Sequence, residues 1–335
     1  MAIAYREWRD GDDLALLEMW GGPETDQARQ FRATLAPSGN APWRRCIVAE
    51  DVVDGVAIPV AAGVVHEASL HPERLWVYVE VARDHRRTGI GSTLLAMLRH
   101  EAGQSPSGVS RLRTKVEPGT PGAAFAEAAG LAPIQRSRLV VVEPGALKLP
   151  VFGDGSEAAA SEQVEDLATG SVELSDVVGR YYTAVHDWDS PGELSIATVQ
   201  RLFLDDLSGA HGAIVLRAPK ASAFGAGVPA SKKGRLQAFA VSYAQGGPEM
   251  GGPEEGHAAK AGEPSDVFLG HDPELSPEDA RAAVRDLLAL IAYQYPVMLE
   301  LDDSMTALRA VVEPLLESGK ARQTGAETLI VSDPA

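Results

Sequence analysis

The sequence predicts an α/β chain of two consecutive mixed β-sheets, each flanked by helices. Three observations carry this. The chain has 335 residues, 45% hydrophobic and 23% charged, enough for two ordinary cores at about 150 residues per domain. Short alternating or β-branched runs lie between stretches of helical spacing. The order of elements over the first 145 residues then recurs over 172–335, an internal duplication in element order without obvious identity.

In the first half, Ala2–Tyr5 reads as a short strand. Asp10 to Asp13 supplies carboxylates to open a helix over Leu14–Trp20. Thr25–Leu35 is a second helix, and Pro37–Pro42 a loop. Cys46–Asp51 and Pro59–Ser69 are strands around an Asp54-Gly55 turn, and Leu75–Val81 is a β-branched strand. Ser92–Ala102 is a helix, Arg111–Glu117 a strand, and Pro121–Ala129 a helix closed by Gly130. Leu139–Glu143 is the last strand of residues 1–145.

Residues 146–171 read as a linker, with a helix through Glu157–Leu167. The second half, 172–335, has helices near 173–186 and 195–207, strands at His211–Ala218 and Arg235–Ala244, and a low-complexity surface loop over Gly246–Pro264. Strand Asp266–Gly270, helix Pro277–Tyr293, strand Val297–Leu301, helix Met305–Glu317 and strand Thr328–Val331 follow.

Composition narrows the class. No run of about 18 apolar residues predicts a membrane span, and the start, with its early acids, is unlike a signal peptide. A lone cysteine, Cys46, excludes an internal disulfide and a multi-cysteine zinc site, and reads as a buried small hydrophobe. A cytoplasmic protein is expected, and the Arg-, Ala- and Gly-rich usage looks bacterial. Residues 1–150 carry 17 Lys/Arg and 18 Asp/Glu, leaving 13 and 29 for the rest, so the halves net −1 and −16. The acidic half should repel nucleic acid and anionic membranes, and would suit a cationic small molecule or plain solubility. His186-Asp-Trp-Asp189 holds metal-capable side chains at a spacing too poor for a zinc site, so no metal is expected. The tryptophans read as core or rim residues, and Lys232–Arg235 as a hairpin turn.

The chemistry is concentrated in Leu75-Trp-Val-Tyr-Val-Glu-Val-Ala-Arg-Asp-His-Arg-Arg-Thr-Gly-Ile-Gly-Ser-Thr-Leu-Leu95. A strand runs into a two-glycine loop that opens a helix, so outward amides and the helix N-terminus make a cradle for a pyrophosphate. Arg86 and Arg87 add charge. It is not a Walker loop, since no Gly-Lys-Ser/Thr follows, and a dinucleotide fingerprint fits poorly.

The string Val81-x5-Arg-x-x-Gly-x-Gly-Ser resembles the acetyl-CoA signature of the GNAT acyltransferases, Arg/Gln-x-x-Gly-x-Gly/Ala, which Arg86-Arg-Thr-Gly-Ile-Gly91 matches in full. Gly119–Leu131 is similar to the family's later helix, which ends in Gly-Phe, and the likeness covers about residues 3–143. The resemblance implies a GNAT-like fold with a splayed pair of central strands and acetyl-CoA as co-substrate. It implies that backbone amides near Val79 and Val81 hold the acetyl and pantetheine groups, and that Arg86, Arg87, Thr88, Gly89, Ile90, Gly91 and Ser92 hold the pyrophosphate. The family's usual leaving-group Tyr is here Ala126. For the base, Glu80 stands first, with Tyr78 on the same strand and Glu73 before it. Strict alternation puts Trp76, Tyr78 and Glu80 on one face, a phase that the family's common bulge would spoil. Glu80 also reads as a charge on a covered or solvent face. His66, Glu67 and Glu117 are candidates for the acceptor site, each with a plain structural reading beside it.

In the second half, Phe268–Pro277 replaces the signature with Asp272, Glu274, Glu278 and Asp279, which would repel a pyrophosphate. A tandem protein with a live first domain and a degenerate second one is expected. The leading function is acetyl-CoA-dependent N-acetyl transfer to a small amine. The alternatives are a protein lysine or N-terminal acetyltransferase and a non-catalytic CoA-binding sensor. The protein is expected as a monomer or homodimer.

Overall fold

The computed structural model describes residues 2–23, 26–219, 233–244 and 263–334, in two compact units. The first unit comprises Met1–Ile134, Asp189–Gly192 and Leu329–Ala335, and the second Gln135–Trp188 and Glu193–Thr328. The expected low-complexity loop over Gly246–Pro264 lies almost wholly outside the described residues, as does Lys232.

The first unit opens with β1 (Ala2–Glu7), α1 (Asp12–Trp20), α2 (Asp26–Arg32) and β2 (Gly39–Asn40). β3 (Trp43–Val53), β4 (Val56–His66) and β5 (Leu75–Val81) form an antiparallel meander, with β1 paired to β3 on its outer edge. The β3–β4 turn puts Asp54 and Gly55 at φ 51° and 81°, as the Asp-Gly pair predicts. α3 (Ile90–Ala102) crosses over to β6 (Leu112–Val116), which runs parallel to β5. α4 (Pro121–Ala128) follows, held at its start by the Thr120 hydroxyl, which accepts from the Ala123 N–H.

β5 alternates cleanly. Leu75, Val77, Val79 and Val81 join the core under α3, with Leu94 and Leu98 fully buried. Tyr78 turns to the opposite core, among Leu16, Cys46 and Val64. The expected bulge is absent: β4 and β5 stay in register from Ala61↔Val81 to His66↔Trp76. Gly63 lets α3 approach, because a Cβ there would meet Leu98 Cδ1 at 2.7 Å and Val79 Cγ2 at 3.1 Å. Cys46 is fully buried, and burial pushes its thiol up to about 12.

The second unit takes most of β7 (Ala132–Val142), then α5 (Glu157–Gln163), β8 (Val164–Leu167), α6 (Val172–Val185) and α7 (Ile196–Val199). β9 (Ala210–Arg217), β10 (Leu236–Tyr243) and β11 (Ser265–His271) make a second antiparallel meander. α8 (Pro277–Ile291) crosses to β12 (Val297–Asp302), parallel to β11, and α9 (Thr306–Glu317) and β13 (Ala321–Ser332) complete the chain. Among the described residues no helix is long and apolar enough to cross a membrane.

Two expectations change. The helix through Glu157–Leu167 stops at Gln163, and Val164–Leu167 instead pairs with β9. The run Val-Glu-Asp-Leu has an edge strand to join, and residues 146–171 are therefore not all linker. The division at 145 and 172 also gives way to interleaved segments. Ser137–Val142 pairs antiparallel with β12, while Leu329–Ser332 pairs antiparallel with β6 in the first unit. Both are aliphatic strands suited to the same kind of edge, so alternation alone does not assign their partners.

The C-terminal segment is tied down further. The Asp333 carboxylate accepts from Leu112 N–H at 2.8 Å and from Arg99 at 2.7 Å. Burying Ile330 and Val331 is worth about 1.5–3 kcal/mol each, so deleting residues 329–335 should cost at least about 3 kcal/mol. Differential scanning calorimetry should show the melting temperature falling by about 6–12 °C. An unchanged melt would mean that β6 does not depend on this strand.

Candidate active site

β5 and β6 pair only at Leu75↔Leu112 and Trp76↔Arg113 before they part. From Val77 onward β5 keeps its partner β4 and has no register pair with β6. The opening is a cleft of about 490 Å³. Val79, Glu80 and Val81 form one wall, and Pro121, Ala124, Phe125 and Ala128 of α4 another.

The loop between them is the glycine-rich one. Arg86, Arg87, Gly89, Gly91 and Ser92 all line the cleft. Arg86 Nε donates to the Val81 carbonyl at 3.0 Å, folding the loop back on its strand. Arg87 and Gly89 sit in the left-handed region, φ 65° and 90°. Gly89 is the N-cap of α3 and offers no side-chain cap, and the first turn carries no acid. The opening amides of α3 thus keep their donors for an anion, with the helix dipole behind them. Gly91 leaves room beside Phe125 and Val81: a Cβ there would lie 3.5–3.6 Å from both. These features suit a pyrophosphate followed by a thin pantetheine arm. Of the nine residues expected to hold the co-substrate, Thr88 and Ile90 do not line the cleft. The Thr88 hydroxyl donates to His85 O at 2.7 Å, and Ile90 is buried in the core.

Glu80 lines the cleft but is heavily engaged. Arg32 Nε and Nη2 donate to its two oxygens at 2.8 and 2.7 Å, and Tyr78 OH donates to Oε2 at 2.5 Å. Burial, and then the adjacent Glu80 charge, push the Tyr78 phenol well above its ordinary value. The Glu80 hydrogen bond raises the Arg32 guanidinium further. Phe31 stacks on Tyr78 with centroids 5.0 Å apart and planes at 6°, and Arg32 lies over Trp20. Arg32 stands 48 residues from Glu80 and carries no sequence signal for this contact.

The other expected acceptor residues lie elsewhere. His66, Glu67 and Glu117 do not line the cleft. The His66 ring is pushed below its ordinary value by burial, with Nδ1 3.2 Å from Glu67 O, and the Glu67 carboxylate accepts from Ser105. Glu117 O accepts from the Thr120 hydroxyl at the start of α4. Glu73 is exposed. Ala126 packs with Val116, Leu131 and Val331, and α4 has no hydroxyl along its length. The sequence reading missed Phe125 and His85 as lining residues; His85 Nε2 lies 3.3 Å from Asp51 Oδ2.

Residues 7–130 match the acetyltransferase (GNAT) family. The likeness to that family covers this stretch of the chain. Acetyl-CoA-dependent acetyl transfer is the chemistry of that family. Three solved structures are similar over nearly the whole chain. A GCN5-related N-acetyltransferase from Sphaerobacter thermophilus is 13% identical, covering 98% of this chain and 95% of that one at a TM-score of 0.49. A tandem GNAT protein from the clavulanic acid biosynthesis pathway is 15% identical, covering 99% and 98% at 0.49. A probable N-acyltransferase from Enterococcus faecalis V583 is 8% identical, covering 99% and 72% at 0.50, a likeness of fold. No curated protein matches the chain.

The second unit repeats this strand parting. β11 and β12 pair only at Ser265↔Val297 and Asp266↔Met298. Its loop is built differently. Asp272 is 1% exposed and accepts from Arg180 at 2.7 Å and Arg235 at 2.7 Å, while Glu274 accepts from Arg235 at 2.6 Å. Burial pushes Asp272 up, but these bonds outweigh it and hold the carboxyl below its ordinary range. So Asp272 and Glu274 are neutralised by arginine rather than left to repel an anion. The helix is closed as well: Ser276 Oγ accepts from Asp279 N at 3.1 Å, with Glu278 and Asp279 in the first turn.

Gly91→Trp should fill the GNAT cleft and weaken acetyl-CoA binding by about 100-fold or more, whereas Gly91→Ala should stay within about twofold. Isothermal titration calorimetry reads both. Full binding by the Trp variant would move the cradle elsewhere.

Proposed function

We propose that this protein transfers an acetyl group from acetyl-CoA to the amine of a small molecule, in the cleft of its first unit. The uncapped α3 N-terminus beside two parted strands carries the reading. Unpaired β5 backbone from Val79 to Val81 can hold the thioester arm as an added strand would be held. The cradle residues named above, from Arg86 to Ser92, hold the diphosphate.

The acceptor nitrogen attacks the thioester carbonyl carbon, the C–N bond forms, and the C–S bond breaks. The nitrogen proton must leave, and the departing thiolate must take one. Glu80 is the carboxylate on the cleft wall, and we assign it the nitrogen: Oε1 accepts from Arg32 alone and keeps a lone pair for the amine or a water. Arg32 and Tyr78 hold the Glu80 carboxylate in place for the incoming nitrogen. Tyr78 stands beside it as donor. Phe31 covering Tyr78 supports a small acceptor over a polypeptide laid in an open groove. In the second unit, arginine-paired acids and a capped helix support a domain that does not bind CoA.

One equivalent of acetyl-CoA should bind per chain. A panel of diamines, aminoglycosides and amino-acid amides, read by thiol release, should find an acceptor. With it, Glu80→Gln should lower kcat by about 10²-fold or more while acetyl-CoA affinity holds within about twofold. Binding without thiol release for any amine would favour a CoA-binding module, consistent with the committed Glu80 carboxylate. Two equivalents would make the second unit a live site.

A further inference from the structure

The parted strands of the first unit share two residue pairs, so little backbone fixes the angle between them. A side-chain bridge lies at that closed end. Asp189 is fully buried, and its two oxygens face two different arginines. Oδ1 accepts from Arg74 Nη1 at 2.6 Å, and Oδ2 accepts from Arg113 Nη1. Arg74 immediately precedes β5, and Arg113 lies on β6. One carboxylate therefore ties the first prong of the fork to the second.

The rest of the cluster is equally enclosed. Arg113 is 1% exposed, and its guanidinium lies 4.2 Å from the centre of the Trp76 ring on β5. Arg113 Nη2 also reaches His71 O at 3.3 Å, and His71 Nδ1 lies 2.6 Å from Asp189 O. Arg74 Nε donates to the Ser332 hydroxyl at 3.0 Å, which in turn donates to Leu112 O on β6. The Arg113–Trp76 contact and the Arg74–Ser332–Leu112 chain both cross between the β5 side and the β6 side at the point where the ladder ends. Removing one partner of such a buried set leaves uncompensated charge, so the arrangement is rigid.

We infer that Asp189 is a positioning residue for acetyl-CoA: by bridging Arg74 and Arg113 it sets the opening between β5 and β6 that receives the thioester end. It touches no reacting atom. This rests on the cleft being the acetyl-CoA site. The pyrophosphate cradle at Arg86–Ser92 sits at the far end of β5 and does not depend on the bridge. Asp189 thus acts on the acyl-pantetheine half of the co-substrate and not on the nucleotide half.

Asp189→Asn separates the two. An amide keeps the size of the carboxylate but accepts through one oxygen only, so it can hold one arginine and not both. Calorimetry would compare acetyl-CoA with adenosine 3′,5′-bisphosphate, which lacks the pantetheine arm, on wild type, Asp189→Asn and the milder Arg74→Lys. The expected result is acetyl-CoA binding weakened about tenfold in Asp189→Asn, with the bisphosphate within about twofold of wild type. Arg74→Lys, whose single ammonium cannot serve Asp189 and Ser332 together, should show the same split to a smaller degree. Equal loss of both ligands, or no change in either, in a variant that keeps the wild-type circular dichroism would overturn the inference. Failure of wild type to bind acetyl-CoA would instead overturn the assignment of the cleft.

Discussion

A parallel ladder that stops after two pairs is the constraint on which the first unit depends. Backbone donors and acceptors cannot be left bare in a packed interior, so a sheet that opens must supply something else for the exposed edge. Here the opening coincides with an uncapped helix, a left-handed glycine and two arginines, all turned to the same cleft. What would be a defect in a purely structural sheet is a template for an extended, amide-bearing arm ending in phosphates. The Gly63 contact has the same logic, since α3 must lie close to β4 and β5 for its first turn to reach the loop.

The second unit runs the same plan with a differently built loop. Its strands part at the equivalent place, but Ser276 caps the helix and arginines take the acids of the loop. Its loop acids and helix start are satisfied by neighbouring side chains. The difference lies in a handful of side chains around one loop, while the layers of sheet and helix stay alike.

Much of this was legible in the sequence, because its causes are local. Alternation over Leu75–Val81 placed Tyr78 and Glu80 on one face, and Gly89 and Gly91 marked the cradle without any long-range information. The helix from Pro277 was equally plain. The contacts that were not legible join residues far apart in the chain. Arg32 on Glu80, Asp189 on Arg74 and Arg113, and the exchange of Leu329–Ser332 for Leu139–Val142 beside β6 depend on which surfaces meet. Short aliphatic strands and single acids carry no address. Ala126, where the family's leaving-group Tyr would stand, is a different matter: in this chain the neighbouring Phe125 faces the cleft and Ala126 the core.

Because the strand beside β6 is drawn from residues 329–332, the first unit is finished only after the segments of the second have been synthesised. A chain ordinarily folds its leading domain while the remainder is still being translated. At about 5–20 residues per second, the roughly 200 residues after β6 take about 10–40 s to emerge. For that interval the nascent chain carries an open edge next to the splayed pair, a natural docking point for a chaperone or for the wrong strand. The parted pair β5 and β6 therefore gains its neighbouring strand only after residues 329–332 have emerged.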